Sequence, residues 1–392
     1  MKTATFHLEL ITPCFAGGAS PEKQAEIRVP AIRGQLRWWF RVLGGLASLK
    51  GTPVREQECM VFGSTAGESG RASPLIVRIA QRIVSTEPED ADQLGVNMNS
   101  PEGYLLFPLR SKKRDGHVVE YKGRALLSTL SRFDLCVVWR GPTAIWPDIE
   151  ALFAVFGHLG SLGFRSRRAM GALAFAEDAP DLTASLNRFG RPTGILIRGK
   201  EAANADDAIS KLALWLKGWR AHGRSVDHPT AKAPNPPHNI GFRFAKPDHD
   251  HGVAVLSHSG GGADPTYRPA IGLPIVQFFS SGGKPNTVNW EQGSGKPDDP
   301  KGRFASPILL RPYRDPDGKT WRALVIFVEA HKWPADKPVF LNGQPRPVGL
   351  DLYAAMKADA RLAPFPVCRG LPGTNGLAIL ALANLSSPGE RL

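Results

Sequence analysis

Arg33, Arg37 and Arg41 recur at intervals of four, which stacks three guanidinium side chains in one row if the segment is helical. Like charges in such a row weaken an isolated helix by roughly a few tenths of a kcal/mol per pair, so something anionic belongs opposite them. Gly34 lies beside the row, where a missing side chain would let an anionic backbone come close. Two readings fit these residues: an anion-binding face and a solvated arginine face. A second basic run, Arg165-Ser166-Arg167-Arg168, is set among Gly160, Gly163 and Gly171. Backbone N–H groups of a glycine-rich turn add anion contacts of their own. Trp38 lies off the apolar side of the first segment, on the far side of the arginine row, with aromatic stacking and core packing as its alternatives. Trp39 is read as core.

The elements that would carry these residues are legible from periodicity. At 100° per residue, Ile32, Leu36, Trp39, Phe40 and Leu43 share one helix side. Pro30 suits the first turn and Gly44-Gly45 a left-handed stop, so a helix is expected within 28–45. Ahead of it, residues 3–11 alternate as a half-buried strand, with Phe6, Leu8 and Leu10 on one face and Thr5, His7 and Glu9 on the other. Further strands are expected at Pro74–Ala80, Gly103–Pro108, Phe133–Trp139 and Ala172–Ala176, and a second helix at Pro147–Leu162. Strand, helix, two or three strands, helix, strand is the ferredoxin-like order, which RNA-recognition motifs also use. Residues 177–190 read as a connection between domains.

The second half mixes the same elements. Strands are expected at Gly194–Arg198, Ile240–Phe244, Val253–Ser257, Ile275–Phe279, Pro307–Arg311 and Ala323–Glu329. Helices are expected at Asp206–Arg220 and near Leu350–Ala360, and loops at 222–238 and 280–303. The architecture expected is α+β, two tandem ferredoxin-like domains over 1–180 and 181–392, with loop insertions.

Composition narrows the partners. The chain has 392 residues and a formal net charge of +13, which favours a polyanion, nucleic acid above all. No stretch approaches 18 uninterrupted apolar residues, so no membrane-spanning helix is expected, and the alternating N-terminus does not read as a signal peptide. A cytoplasmic location follows. Cys14, Cys59, Cys136 and Cys368 form no CxxC pair and suggest neither a zinc site nor a disulfide framework.

Taken together, Leu10-Ile11-Thr12-Pro13, Gly17-Gly18 and the run Arg28 to Trp39 resemble the RAMP superfamily of CRISPR effector proteins, specifically the first-subunit family of type III-B Cmr complexes. That family ends its first strand in T-P and opens its helix with a pattern like R-x-P-x-I-[KR]-G-x-L-R-[FW]-W. Gly163-Phe164-Arg165-Ser166-Arg167-Arg168 is similar to its glycine-rich basic loop. Gly272-Leu273-Pro274 and Arg303 to Pro307 are similar to later segments. Ala169 departs from the pattern, standing where a third glycine is often found; at positive φ it would be strained by about 1–2 kcal/mol. The resemblance implies a non-catalytic subunit, without a cofactor, that contacts the 3′ region of a guide RNA and the target RNA paired to it, beside other RAMP subunits. The RNA-binding set it implies is Arg28, Arg33, Gly34, Arg37, Trp38, Arg41, Gly160, Gly163, Arg165, Ser166, Arg167 and Arg168.

Rival readings come from other classes. An endoribonuclease would need a general base, and His7 is the sole early histidine, with no partner placed by the sequence and no Asp before Asp90. His249 and His251, with His238 and His258 nearby, could ligate a metal, but Asp248-His249-Asp250-His251 reads as a solvated loop. A purely structural interaction protein would leave the arginine row unused.

Overall fold

The computed structural model describes residues 1–18, 24–65, 70–83, 89–90, 100–109, 112–114, 117–120, 125–129, 131–220, 242–259, 264–273, 275–279, 287–293 and 302–365. Contacts divide the chain into two compact units: one of 1–213, 309–330 and 361–392, the other of 214–308 and 331–360. This differs from a boundary at 180/181. Residues 177–190 are no linker, because they hold a short helix, Leu182–Leu186, whose Leu182 and Leu186 are buried with Phe189 in the first unit's core.

In the first unit, β1 (Lys2–Leu10) is followed by α1 (Val29–Val42) and α2 (Val54–Phe62). Then come β2 (Leu75–Ile83), β3 (Arg132–Trp139), α3 (Trp146–Leu159) and β4 (Leu173–Phe175). The sheet order is β2-β3-β1-β4, and each neighbouring pair is antiparallel. Alternation decides the register: Phe6, Leu8 and Leu10 are buried on β1, and so are Leu135 and Phe133 opposite Phe6 and Leu8, with Val137 on the same face of β3. α1 and α3 cover the apolar face, burying Ile32, Leu36, Trp39 and Phe40 from one and Ile149, Leu152, Phe153 and Phe156 from the other. The chain goes on through β5 (Ile195–Ala202), β6 (Ile308–Arg314), β7 (Trp321–Val328) and β8 (Ala363–Pro364), in the order β6-β7-β5-β8. Both sheets feed one core, where Ile197, Leu324 and Ile326 join the residues of the first sheet.

The second unit has an antiparallel sheet of Ile275–Phe278, Thr287–Glu291, Val339–Leu341 and Gln344–Arg346 around Val288, Trp290, Trp333 and Leu341. Its helix Phe242–Leu256 replaces the strands expected at Ile240–Phe244 and Val253–Ser257. Asp248 explains the change: its buried carboxylate accepts from Tyr267 N and Arg268 N at 2.8 and 2.9 Å, which fastens the helix to the next segment. The expected strand Gly103–Pro108 is likewise helical, over Pro101–Leu106 and then Phe107–Leu109. The expected loop 222–238 lies outside the described residues, as do Pro274, His238 and Cys368; 280–303 contains the strand Thr287–Glu291.

His158, at the end of α3, is buried, and burial lowers its pKa from 6.5 to about 4. Nε2 donates to Pro180 O at 2.6 Å, and Tyr313 Oη donates to Nδ1 at 3.3 Å. The folded state therefore holds the neutral ring while the unfolded chain binds a proton near pH 6.5, so this stability is whole above that pH and lost as pH falls to about 4. The loss amounts to about 3 kcal/mol. Urea titrations across pH 4–7 check this: the fall should be clearly smaller in His158→Gln.

Candidate nucleic-acid interface

α1 starts from an extended Arg28 with Pro30 in its first turn and stops at Gly44 and Gly45, both at positive φ. Gly45 N donates to Phe40 O at 2.9 Å, closing the last turn. Because the apolar stripe is buried, the arginines must share the other side. The anion opposite them is supplied from within. Glu58 of α2 accepts from Arg37 Nε at 2.6 Å and from Arg41 Nη1 at 2.7 Å, both on Oε1. Its carboxylate is buried, whereas the two arginines are about half exposed, at 45% and 49%.

Arg33 behaves differently from its neighbours in the row. Its guanidinium donates to Leu75 O at 2.9 Å, Phe62 O at 3.1 Å and Ser73 Oγ at 3.2 Å. Burial, with Arg37 adding repulsion, holds it below the usual arginine range. Arg33 is a tie between α1, α2 and β2, which corrects its expected place in an exposed row. Gly34 is exposed, and a Cβ built there would meet nothing within 4 Å. Arg28 is exposed at the entrance of the helix, 3.7 Å from Glu26. The outward set on α1 is therefore Arg28, Gly34, Arg37 and Arg41.

The glycine-rich loop meets α1, but its arginines face inward. Arg167 sits over the Trp38 ring at 5.0 Å, and burial lowers its pKa. Arg165 Nε donates to Leu105 O at 2.6 Å, and Arg168 is buried. Gly160 is also buried, with its carbonyl accepting from Leu173 N at 3.2 Å and Arg311 Nε at 3.3 Å. Both sides of the loop are stitched down. Phe164 N donates to Phe15 O and Gly171 N to Pro13 O, at 2.9 and 2.8 Å; Ala169 N donates to Leu310 O at 2.9 Å. The glycine-rich basic loop is thus fixed in place, with Gly163 exposed and Arg165, Ser166 and Arg167 partly buried. Ala169 does take positive φ, +71°, beside Gly163, Arg165 and Gly171. Trp38 is half-buried, packed edge-on to Trp39 at 4.9 Å, and one of its faces is taken by Arg167.

Other readings also find their place. His7 is on the polar face of β1, and the register sets Asp134 directly across from it, with His7 Nδ1 and Asp134 Oδ1 2.8 Å apart. His249 and His251 lie on a helix and not in a solvated loop; His251 is buried with Nε2 2.9 Å from Asp264 O. Sequence reasoning missed Glu58, Arg55, Arg71 and Asp134. The signal for α2 was present in Pro53, the acidic Glu56 in the first turn and Gly63 at the stop. The signal for Asp134 was the antiparallel pairing of two alternating strands.

The sequence profile of the RAMP superfamily matches residues 7–174, which span β1 to β4 with both covering helices and the loop. Two relatives from Pyrococcus furiosus are similar to the chain: CRISPR system Cmr subunit Cmr1-1, 27% identical over 183 residues, and Cmr1-2, 29% identical over 187 residues. The first match covers 46% of this chain and half of Cmr1-1; the second covers 44% of this chain and 95% of Cmr1-2. The crystal structure of Cmr1 from Pyrococcus furiosus, in its apo form, superposes with a TM-score of 0.50 at 16% identity, covering 90% of this chain and 96% of that one. The fold is therefore like that of Cmr1, and the segment matched by the profile carries the arginine helix.

Two glycines of this segment should respond in opposite directions. Gly171→Ala would place a Cβ 1.9 Å from Leu162 O at φ +64°, and should destabilise by about 3 kcal/mol or more. Gly34→Ala, in open space within a helix, should stabilise by about 0.5–1 kcal/mol. Urea midpoints of the two variants check both.

Proposed function

We propose that this chain is the RNA-binding, non-catalytic Cmr1-type subunit of a type III-B CRISPR effector complex, working in the cytoplasm beside other RAMP subunits. Its role is to contact the 3′ region of the guide RNA and to help capture complementary target RNA. The observation that carries this reading is the outward side of α1, where Arg28, Arg37 and Arg41 are exposed along the same helix as Gly34, whose open space leaves room for a backbone. Such a face holds phosphates without reading bases, while the guide supplies sequence by pairing. The relatives' names, and the +13 charge, support it. We read the orders β2-β3-β1-β4 and β6-β7-β5-β8 as two ferredoxin-like folds, the second opened by long insertions.

The second reading, a ribonuclease, is favoured by one observation: the His7–Asp134 pair has the geometry of an oriented general base. Two measurements decide between them. Replacing Arg28, Arg37 and Arg41 together by Ala should weaken RNA binding irrespective of sequence, and flatten the salt dependence by roughly 0.7–0.9 per lost phosphate contact. An unchanged slope removes α1 from the interface. The purified protein should leave guide-like and target RNAs intact, with or without a divalent metal. Cleavage that disappears in His7→Ala and in Asp134→Asn would replace the binding-subunit reading with the nuclease.

A further inference from the structure

Beside the α1 face lies a hollow of about 550 Å³ that the arginine row does not fill. Arg37 and Arg41 form one wall, Arg55 and Cys59 of α2 another, and Arg71 closes it from the turn that leads to β2. Among the described residues that line it, Glu58 is the sole acidic one. An adjoining hollow of about 560 Å³ shares Arg41, Arg55 and Glu58 and adds Arg191. In the first hollow four guanidiniums thus face one carboxylate among the described lining residues, and that carboxylate is already engaged. Arg55 and Arg71 are both exposed, and neither forms an ion pair among the described residues.

The donor geometry is as telling as the charge. Arg37 meets Glu58 only through Nε and Arg41 only through Nη1, so each guanidinium keeps a second N–H edge outside that contact. Arg37 also lies over the Phe62 ring at 5.9 Å, which holds its plane. Guanidiniums so fixed present forks that match paired phosphate oxygens. The two ends of the turn, at Ser64 and Arg71, are fixed too. Ser64 and Arg71 exchange two backbone hydrogen bonds of 2.9 Å, and Gly63 at φ +79° would put a Cβ 2.7 Å from Arg71 O.

We propose that this hollow is a discrete site for a phosphomonoester dianion, the group carried by a terminally phosphorylated RNA or by a mononucleotide. A phosphodiester brings one charge and two free oxygens; the excess of guanidiniums here, and their arrival from three directions, matches the second charge and third oxygen of a monoester. The proposal deepens the RNA-binding reading, since Arg37 and Arg41 serve both the outer face of α1 and the hollow, while Arg55 and Arg71 serve the hollow alone.

Cys59 supplies the readout, because it is partly accessible and lines the hollow. Cys136, also partly accessible, sits on β3 and serves as internal control, and Cys14 is fully buried with its thiol pushed up to about 12. The full-length protein is alkylated with a maleimide at matched ionic strength, and Cys59 and Cys136 are followed separately by peptide mass spectrometry. The probes are AMP, inorganic phosphate, and one oligoribonucleotide with either phosphate or hydroxyl at its ends. AMP and the phosphate-ended strand should slow Cys59 by about tenfold, through lost access and a weakened positive field, and leave Cys136 unchanged. Arg55→Ala or Arg71→Ala should raise the AMP needed for half-protection by about tenfold or more. Protection by AMP but not by the strand, or by the strand but not by AMP, assigns the source and upholds the site. Equal protection by the two strand forms, no protection, or protection indifferent to Arg55 and Arg71 overturns it. RNA binding that survives loss of protection condemns the hollow alone; protection without RNA binding condemns only the RNA-subunit reading.

Discussion

One buried carboxylate holds the functional face together. Glu58 places a single oxygen between Arg37 and Arg41, on a helix that must bury Ile32, Leu36, Trp39 and Phe40. Without a counter-charge, guanidiniums one turn apart would splay into solvent, at the cost of order in exactly those groups a ligand must meet. With it, they stay half exposed and fixed in direction. The ion pair fixes the direction of both guanidiniums, and because its carboxylate is buried, removing the arginines would leave an uncompensated charge inside the protein.

The remaining basic residues show how the same chemistry serves a different end. Arg33 donates to the carbonyls of Leu75 and Phe62, Arg165 to Leu105, and Arg311 to Gly160 and Leu173. These guanidiniums answer carbonyls in helices, in the glycine-rich loop and on the two edge strands of the first sheet. Arg311 does so fully buried, with its pKa lowered to about 9 by desolvation. A +13 chain thus uses several of its charges as internal fasteners, and net charge alone overstates the positive surface offered to solvent.

The fixed loop follows from the same economy. Between α3 and β4 the chain reverses with positive φ at Gly163, Arg165, Ala169 and Gly171, and its N–H groups go to Pro13, Phe15 and Leu310. Such a loop sets the position of Trp38 through Arg167, and with it the rim of α1. The loop is held in place on both sides, and its own arginines contribute little outward charge.

The α1 helix, its apolar stripe and its glycine stop were legible in the sequence, as were β1, β3 and α3, because each follows from local period and local chemistry. The RAMP likeness was legible for the same reason: its motifs are short and contiguous. What the sequence could not decide was the partner of each charge. Glu58 meets Arg37 from 21 positions away, Asp134 meets His7 across 127, and Arg165 finds Leu105 across 60. Those pairings depend on which surfaces the sheet and its covering helices bring within a few ångströms. The helix Phe242–Leu256 was misread for a related reason, since Asp248 is buried by Tyr267 and Arg268, which supply the hydrogen bonds that a solvated loop would take from water. Local sequence determined where charge is carried along the chain; only the tertiary structure decided which charges are spent inside, because desolvation and hydrogen bonding are settled by neighbours distant in sequence.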